Sequence, residues 1–208
     1  MIAETLGIRP GVTAIIGSGG KTSLMLRLCE ELPGTVIVCT STHIWVPEQL
    51  PLFTEQLDSL PADKCCVGSH DGKKLTAPAD SFAHLATLAD YVLVEADGSR
   101  GLPLKAHADH EPVIPACADQ VIQVLGLTGL YRPIAEAAHR PEIYAGLCGC
   151  RIEDTATPER AAAVLRAENL CTRVFLNQAD TPQLRLWGQQ LADRLPWPTV
   201  IGALQRGE

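Results

Sequence analysis

The sequence predicts an α/β fold: a mostly parallel sheet with helices over both faces, in three layers. Three observations carry this. The first forty residues read strand, glycine turn, helix, strand, which is a βαβ unit. Tyr91-Val92-Leu93-Val94 is apolar at every position rather than alternating, as in a strand covered on both sides. Near the C-terminus the alternation returns, with apolar Val174-Phe175-Leu176, a helical stretch from Pro182 to Leu195 and Thr199 to Ala203. At 208 residues, 46% hydrophobic and 20% charged, the chain suits one domain over residues 1–208 with a sizeable core.

Taken in order, Val12-Thr13-Ala14-Ile15-Ile16 is a β-branched, apolar run that stops at glycines, hence a buried strand. Leu24, Leu28 and Leu32 recur at helical spacing from Lys21 onward, and Pro33-Gly34 ends that helix. Thr35 to Thr40 is the second strand. Trp45 to Asp63 shows no clean period, and Asp71-Gly72 is a hairpin turn signal within Lys64 to Pro78. Ser81 to Leu88 reads as a helix. A loop rich in Gly and Pro runs from Gly98 to Pro115, before a strand over Gln120 to Leu125. Polar helical stretches, among them Pro158 to Glu168, mark residues 127–168 as a small helical insertion.

Charge and composition narrow the function. A net charge of -7 and only 4% aromatic residues argue against binding nucleic acid, through phosphates or by base stacking. The same charge disfavours anionic membranes, and no apolar run approaches the ~20 residues that span a bilayer. With no leader-like segment at its start, the chain is expected in the cytoplasm. The cysteines, several inside apolar runs, read as reduced and buried. Cys148-Gly149-Cys150 stands apart as a Cys-x-Cys, either a soft-metal or redox pair or two ordinary thiols near a helix end.

The sharpest motif lies between the first strand and helix. Triphosphates are held by backbone N–H groups at a helix N-terminus, a lysine on the β and γ phosphates and a hydroxyl on Mg²⁺. Gly17, Ser18, Gly19 and Gly20 supply the cradle, Lys21 the cation and Thr22 the hydroxyl, with Ser23 a second hydroxyl or simply a helix-start residue. The full Gly-x-x-x-x-Gly-Lys spacing would need glycine where Ile15 stands; the shorter Gly-x-x-Gly-Lys-Thr resembles the loops of Mur-type ligases. This predicts a P-loop NTPase-like member of the α/β class, binding ATP or GTP with Mg²⁺.

Two carboxylates, Glu95 and Asp97, close the apolar strand at Tyr91 to Val94. Ligands of parallel sheets collect at carboxyl strand ends, so these are the expected metal ligands beside Thr22. Glu95 resembles the Mg²⁺-binding glutamate of dethiobiotin-synthetase-like enzymes, while Asp97 before Gly98 would also suit a turn. Thr40-Ser41-Thr42-His43 ends the second strand at the same edge, as hydroxyl ligands or as a plain turn. Asn177-Gln178-Ala179-Asp180 follows a buried strand as Asn-Lys-x-Asp does in GTP-binding proteins, making Asn177 and Asp180 base-reading candidates. A strand-to-helix turn with a polar cap explains them equally.

Glu95-Ala96-Asp97-Gly98-Ser99-Arg100-Gly101-Leu102-Pro103-Leu104-Lys105-Ala106 and His110-Glu111-Pro112-Val113-Ile114-Pro115 together resemble the YqeC family, described as selenium-dependent hydroxylase accessory proteins. The Gly17 to Thr22 loop, Thr40 to Ile44, His139-Arg140-Pro141-Glu142 and Asn177 to Asp180 match it in order over nearly the whole chain. Two departures are His107, where the family tends to proline, and Gln178, where it often has lysine. The resemblance implies a P-loop fold and a role in maturing selenium-dependent molybdenum hydroxylases, with a molybdopterin-type cofactor and an apo-hydroxylase as partners. Arg100 and Lys105 would then steady transferring phosphate, or hold a second anionic substrate, unless they pair with Glu95, Asp97 or Glu111. The leading expectation is an accessory protein that binds, and hydrolyses or transfers phosphate from, a nucleoside triphosphate. Its rivals are a nucleotide-gated delivery chaperone with little turnover and a Cys/His metal carrier.

Overall fold

The structure, a computed structural model, describes residues 1–204. The chain divides into two compact units, each with its own parallel strands and helices. The first unit comprises Met1–Ile16, Thr22–Gly98 and Val113–Val121. Its elements are α1 (Ile2–Thr5), β1 (Gly11–Gly17), α2 (Lys21–Glu31), β2 (Val36–Thr40), β3 (Ile44–Trp45) and β4 (Leu52–Phe53). There follow β5 (Lys64–Val67), β6 (Ser69–Asp71), β7 (Lys74–Thr76), α3 (Phe82–Leu88) and β8 (Tyr91–Glu95).

Strands of this unit run in the order β1-β8-β2-β5-β4, and every neighbouring pair is parallel. The apolar β8 thus lies between β1 and β2, which explains why none of Tyr91 to Val94 is solvated. Alternate residues put Val12, Ile37 with Cys39, Cys65 with Val67, and Val92 with Val94 into one cluster, covered by Leu85 and Ala89. Leu24, Met25 and Leu28 of α2 are fully buried, and each such side chain contributes roughly 1.5–3 kcal/mol. Ser81 caps α3 by accepting from His84 N. Around Gly72, β6 and β7 form the expected antiparallel hairpin, and β3 pairs with β7. The two-residue β3 and β4 are too short for a period to show, so Trp45 to Asp63 reads as featureless in sequence.

The second unit comprises Gly17–Lys21, Ser99–Pro112 and the described residues from Ile122 on. It contains β9 (Leu104–Lys105), the body of β10 (Gln120–Gly126), a 3-10 turn at Leu127–Gly129, α4 (Ile134–Ala137) and β11 (Ala138–His139). Then come α5 (Pro141–Cys148), α6 (Pro158–Glu168), β12 (Arg173–Asn177), α7 (Pro182–Ala192) and β13 (Thr199–Ile201). Here β10, β12 and β13 are parallel neighbours in that order, and β9 pairs in parallel with β11. Proline at N1 and a threonine cap start both α6 and α7, while Asn169 in the left-handed conformation ends α6. Residues 127–168 hold the 3-10 turn, α4, β11, α5 and α6. Among the described residues no helix is long and apolar enough to cross a membrane.

Candidate functional site

In the second unit, Gly17–Lys21 is anchored by the chain's own polar groups. Ser18 N donates to Val124 O at 3.0 Å. Asn177 at the end of β12 donates from Nδ2 to Gly19 O at 2.7 Å and accepts at Oδ1 from Leu204 N at 3.3 Å. Asn177, open in the sequence between a base contact and a turn residue, has both amide atoms engaged here and anchors the loop. Gly19 has φ +88°, and a Cβ there would lie 2.3 Å from Gly126 N, so this glycine permits close packing on the end of β10. Lys21 is 3% exposed, and its ammonium donates to Gly17 O at 2.7 Å, folded over its own loop.

The Ser18 hydroxyl is buried and has no hydrogen-bond partner among the described residues. A buried polar atom in that condition costs roughly 1–3 kcal/mol. An anion accepting from it would relieve this cost, so the loop fits a phosphate by its donors: Ser18 Oγ, Lys21 Nζ and backbone N–H groups. Gln178, at φ +66°, accepts at Oε1 from Thr128 Oγ1, and Asp180 is half-buried beyond it.

In the first unit the register sets Ile15 and Thr40 on either side of Glu95, so β2 and β8 end level. Thr22, one residue into α2, donates from Oγ1 to Glu95 Oε2 at 2.8 Å. A hydroxyl and a carboxylate in that contact are two oxygen ligands of the kind a hard divalent cation takes beside phosphate oxygens. The Glu95 carbonyl accepts from Thr40 Oγ1 at 2.8 Å and from Ser41 N at 3.1 Å. Val113 N donates to Ala96 O at 2.8 Å, and Ser41 Oγ donates to Val113 O at 2.6 Å. Thus the 40–41 and 113 segments are both tied to the end of β8. Asp97 is wholly buried two residues beyond that strand, and Ser23 is exposed on α2. Among the described residues no three His, Cys, Asp or Glu side chains are grouped to hold a metal ion.

Within the second unit, Lys105 and Arg140 of the motif assemble around one carboxylate. Lys105 Nζ and Arg140 Nη1 both donate to Glu111 Oε2, each at 2.6 Å. Lys105 is thus placed on Glu111, one of the pairings that competed with a catalytic role for it. Partial burial pushes the Glu111 carboxyl up, but the Arg140 and Lys105 hydrogen bonds and charges outweigh it and hold it at about 2. Burial, then the charges of Lys105 and Arg140, push His139 below its ordinary value; Glu111 opposes them, and Arg100 adds to them. Arg100 itself is exposed in the left-handed conformation, φ 51°. His107, given no function from sequence, is bound by Glu168: N donates to Oε1 at 2.6 Å, and Nδ1 lies 2.9 Å from Oε2. Glu168 was not legible as a partner because 61 residues separate the two.

A model of the family described as "YqeC protein" matches residues 13–142, well over half of the chain. The chain belongs to the YqeC family. Among relatives, the "Uncharacterized protein YqeC" of Escherichia coli (strain K12) is 33% identical over 175 residues, covering 76% of this chain and 68% of that protein. The YqeC match takes in the glycine loop, Thr22, Glu95 and the Lys105–Glu111–Arg140 cluster. Asn177 and Asp180 lie beyond it, so the YqeC match does not extend to the base-reading candidates.

Proposed function

We propose that this YqeC protein binds a nucleoside triphosphate with Mg²⁺ through a P-loop formed by Gly17 to Thr22. On this reading it hydrolyses the triphosphate, or transfers phosphate from it, as an accessory in maturing selenium-dependent molybdenum hydroxylases. The observation that carries the reading is the 2.8 Å contact between Thr22 Oγ1 and Glu95 Oε2, a ready pair of cation ligands at a parallel strand's carboxyl end. The unpartnered Ser18 hydroxyl and the Lys21 ammonium, next to Thr22 in the chain, support phosphate as the ligand.

When bound, Mg²⁺ would neutralise phosphate charge. The chain's part is positional: Lys21 leaves Gly17 O for phosphate oxygens, Thr22 and Glu95 hold the metal, and buried Asp97 stands close by in sequence. Arg100 is the exposed cation of the motif, suited to a second anionic substrate such as a molybdopterin-type cofactor. Lys105, through Glu111, fixes the Arg140 guanidinium.

A nucleotide-gated delivery role has one specific support. The Glu95 carbonyl and Val113 are both hydrogen-bonded to the 40–41 segment, so a change at Glu95 would be felt in both loops. Calorimetry with ATP, GTP and CTP, with and without Mg²⁺, tests the common core. Binding should require Mg²⁺ and fall roughly 10- to 100-fold in Lys21→Ala, the worth of one charge-assisted hydrogen bond. Binding that is absent for all three, or unchanged in the variant, sinks the assignment. Slow turnover raised only by the apo-hydroxylase would favour gating.

A further inference from the structure

Eight cysteines are present and none is paired, but their surroundings differ. Cys29, Cys39, Cys65, Cys66 and Cys171 are buried, and desolvation raises every one of them. Such thiols are inert. Cys148 and Cys150 are only partly buried, and their sulfurs lie 3.3 Å apart. Cys148 is the last residue of α5, and Gly149 follows in the left-handed conformation with φ 66°. That turn brings two thiols, two residues apart, into contact beside exposed Gly146, Leu147 and Gly149.

We propose that Cys148 and Cys150 are a redox-active dithiol, whose substrates are disulfides and which closes to an intramolecular disulfide across Gly149. It is independent of the nucleotide reading. Bond formation needs the sulfurs to move from 3.3 Å to roughly 2 Å, within the reach of side-chain torsions. The two cysteines divide the work. Cys148 donates its proton to Tyr144 O at 3.2 Å, and it sits at a helix C-terminus, where the dipole opposes a thiolate. Burial, then its contact with Cys150, pushes the Cys148 thiol up to about 12.

Cys150 is therefore the attacking sulfur. Its thiolate displaces one thiolate from a disulfide RSSR, forming a Cys150–SR mixed disulfide. Cys148 then gives up its proton and attacks the Cys150 sulfur. The Cys148–Cys150 bond forms, the S–SR bond breaks, and the second RS⁻ takes a proton. Two cysteine thiols are oxidised and one RSSR is reduced to two RSH. The second step is intramolecular and outruns attack by a second molecule of RSH.

The test equilibrates the full chain with glutathione buffers, quenches with acid, alkylates free thiols in denaturant, where the buried ones also react, and weighs the intact protein. In excess reduced glutathione all eight cysteines should alkylate. In excess glutathione disulfide the count should be two fewer, with no glutathione attached. Cys148→Ser should instead retain one glutathione, on Cys150, while Cys150→Ser should show neither the loss of a pair nor a trapped adduct. A wild-type count that stays at eight, a glutathione adduct without loss of the pair, or loss of a pair in either serine variant overturns the proposal.

Discussion

Gly19→Ala separates two reasons for a glycine in the Gly17–Lys21 loop. If the residue served only to let a ligand approach, alanine would weaken binding and leave the unliganded protein as stable as before. The geometry says otherwise. An alanine Cβ would lie 2.3 Å from Gly126 N, 2.4 Å from Gly126 Cα and 3.1 Å from Pro103 O, all backbone atoms. No side-chain rotation relieves that contact, and Gly126 N is itself bonded to Pro103 O at 2.9 Å. The φ of +88° adds roughly 1–2 kcal/mol for a residue with a Cβ. Overpacking adds about 1–3 kcal/mol. Together these remove roughly 2–5 kcal/mol, a large share of the 5–15 kcal/mol typical of a folded protein. Gly72→Ala is the control, with φ +61° but nothing within 4 Å of the new carbon, so only the conformational cost of about 1–2 kcal/mol applies. Urea unfolding of both variants without nucleotide reads the difference in midpoint. A Gly19→Ala protein no less stable than Gly72→Ala would refute the packing argument.

Three further outcomes follow from particular contacts. Asn177→Asp replaces the N–H that donates to Gly19 O with an acceptor in a buried site, and should cost roughly 3 kcal/mol in urea unfolding; a neutral result would mean the loop is not anchored there. Glu111 has its folded value depressed to about 2 from 4.5, so its contribution to stability is whole above pH 4.5 and is lost as pH falls towards 2. Melting temperatures should accordingly show wild type losing ground to Glu111→Gln over that window, and parallel curves would contradict the pairing. The Tyr144 hydroxyl is buried without a hydrogen-bond partner among the described residues, so Tyr144→Phe should stabilise by about 1 kcal/mol, raising Tm by roughly 2–4 °C; a lower Tm would show that the hydroxyl is bonded.

Much of the local structure was legible. Val12 to Ile16, Val36 to Thr40 within the expected Thr35 to Thr40, Tyr91 to Val94 and Val174 to Leu176 lie in strands, because short, mainly apolar runs between turn residues have few other uses. The helix at Pro158–Glu168 has the bounds its proline and its polar terminus suggested. Less visible were the short strands β3, β4, β9 and β11, each two residues long and held by partners rather than by propensity. Helix α5 is preceded by Arg140 in a left-handed conformation, which no local rule favours.

At the candidate site the same division holds, residue by residue. Sequence alone determined the chemistry on offer: a glycine loop with Lys21 and Thr22, and a carboxylate at the end of an apolar strand. It also determined that the fold is α/β, because apolar period and turn residues are local properties of the chain. Only tertiary structure placed β8 between β1 and β2, and so set Thr22 on Glu95 across 73 residues. It likewise turned Asn177 onto Gly19 across 158 residues, and Lys105 with Arg140 onto one oxygen of Glu111. Strand order and long-range pairing depend on which buried faces and charges find one another after collapse. A residue's type names the bonds it can make; its partner is chosen by packing.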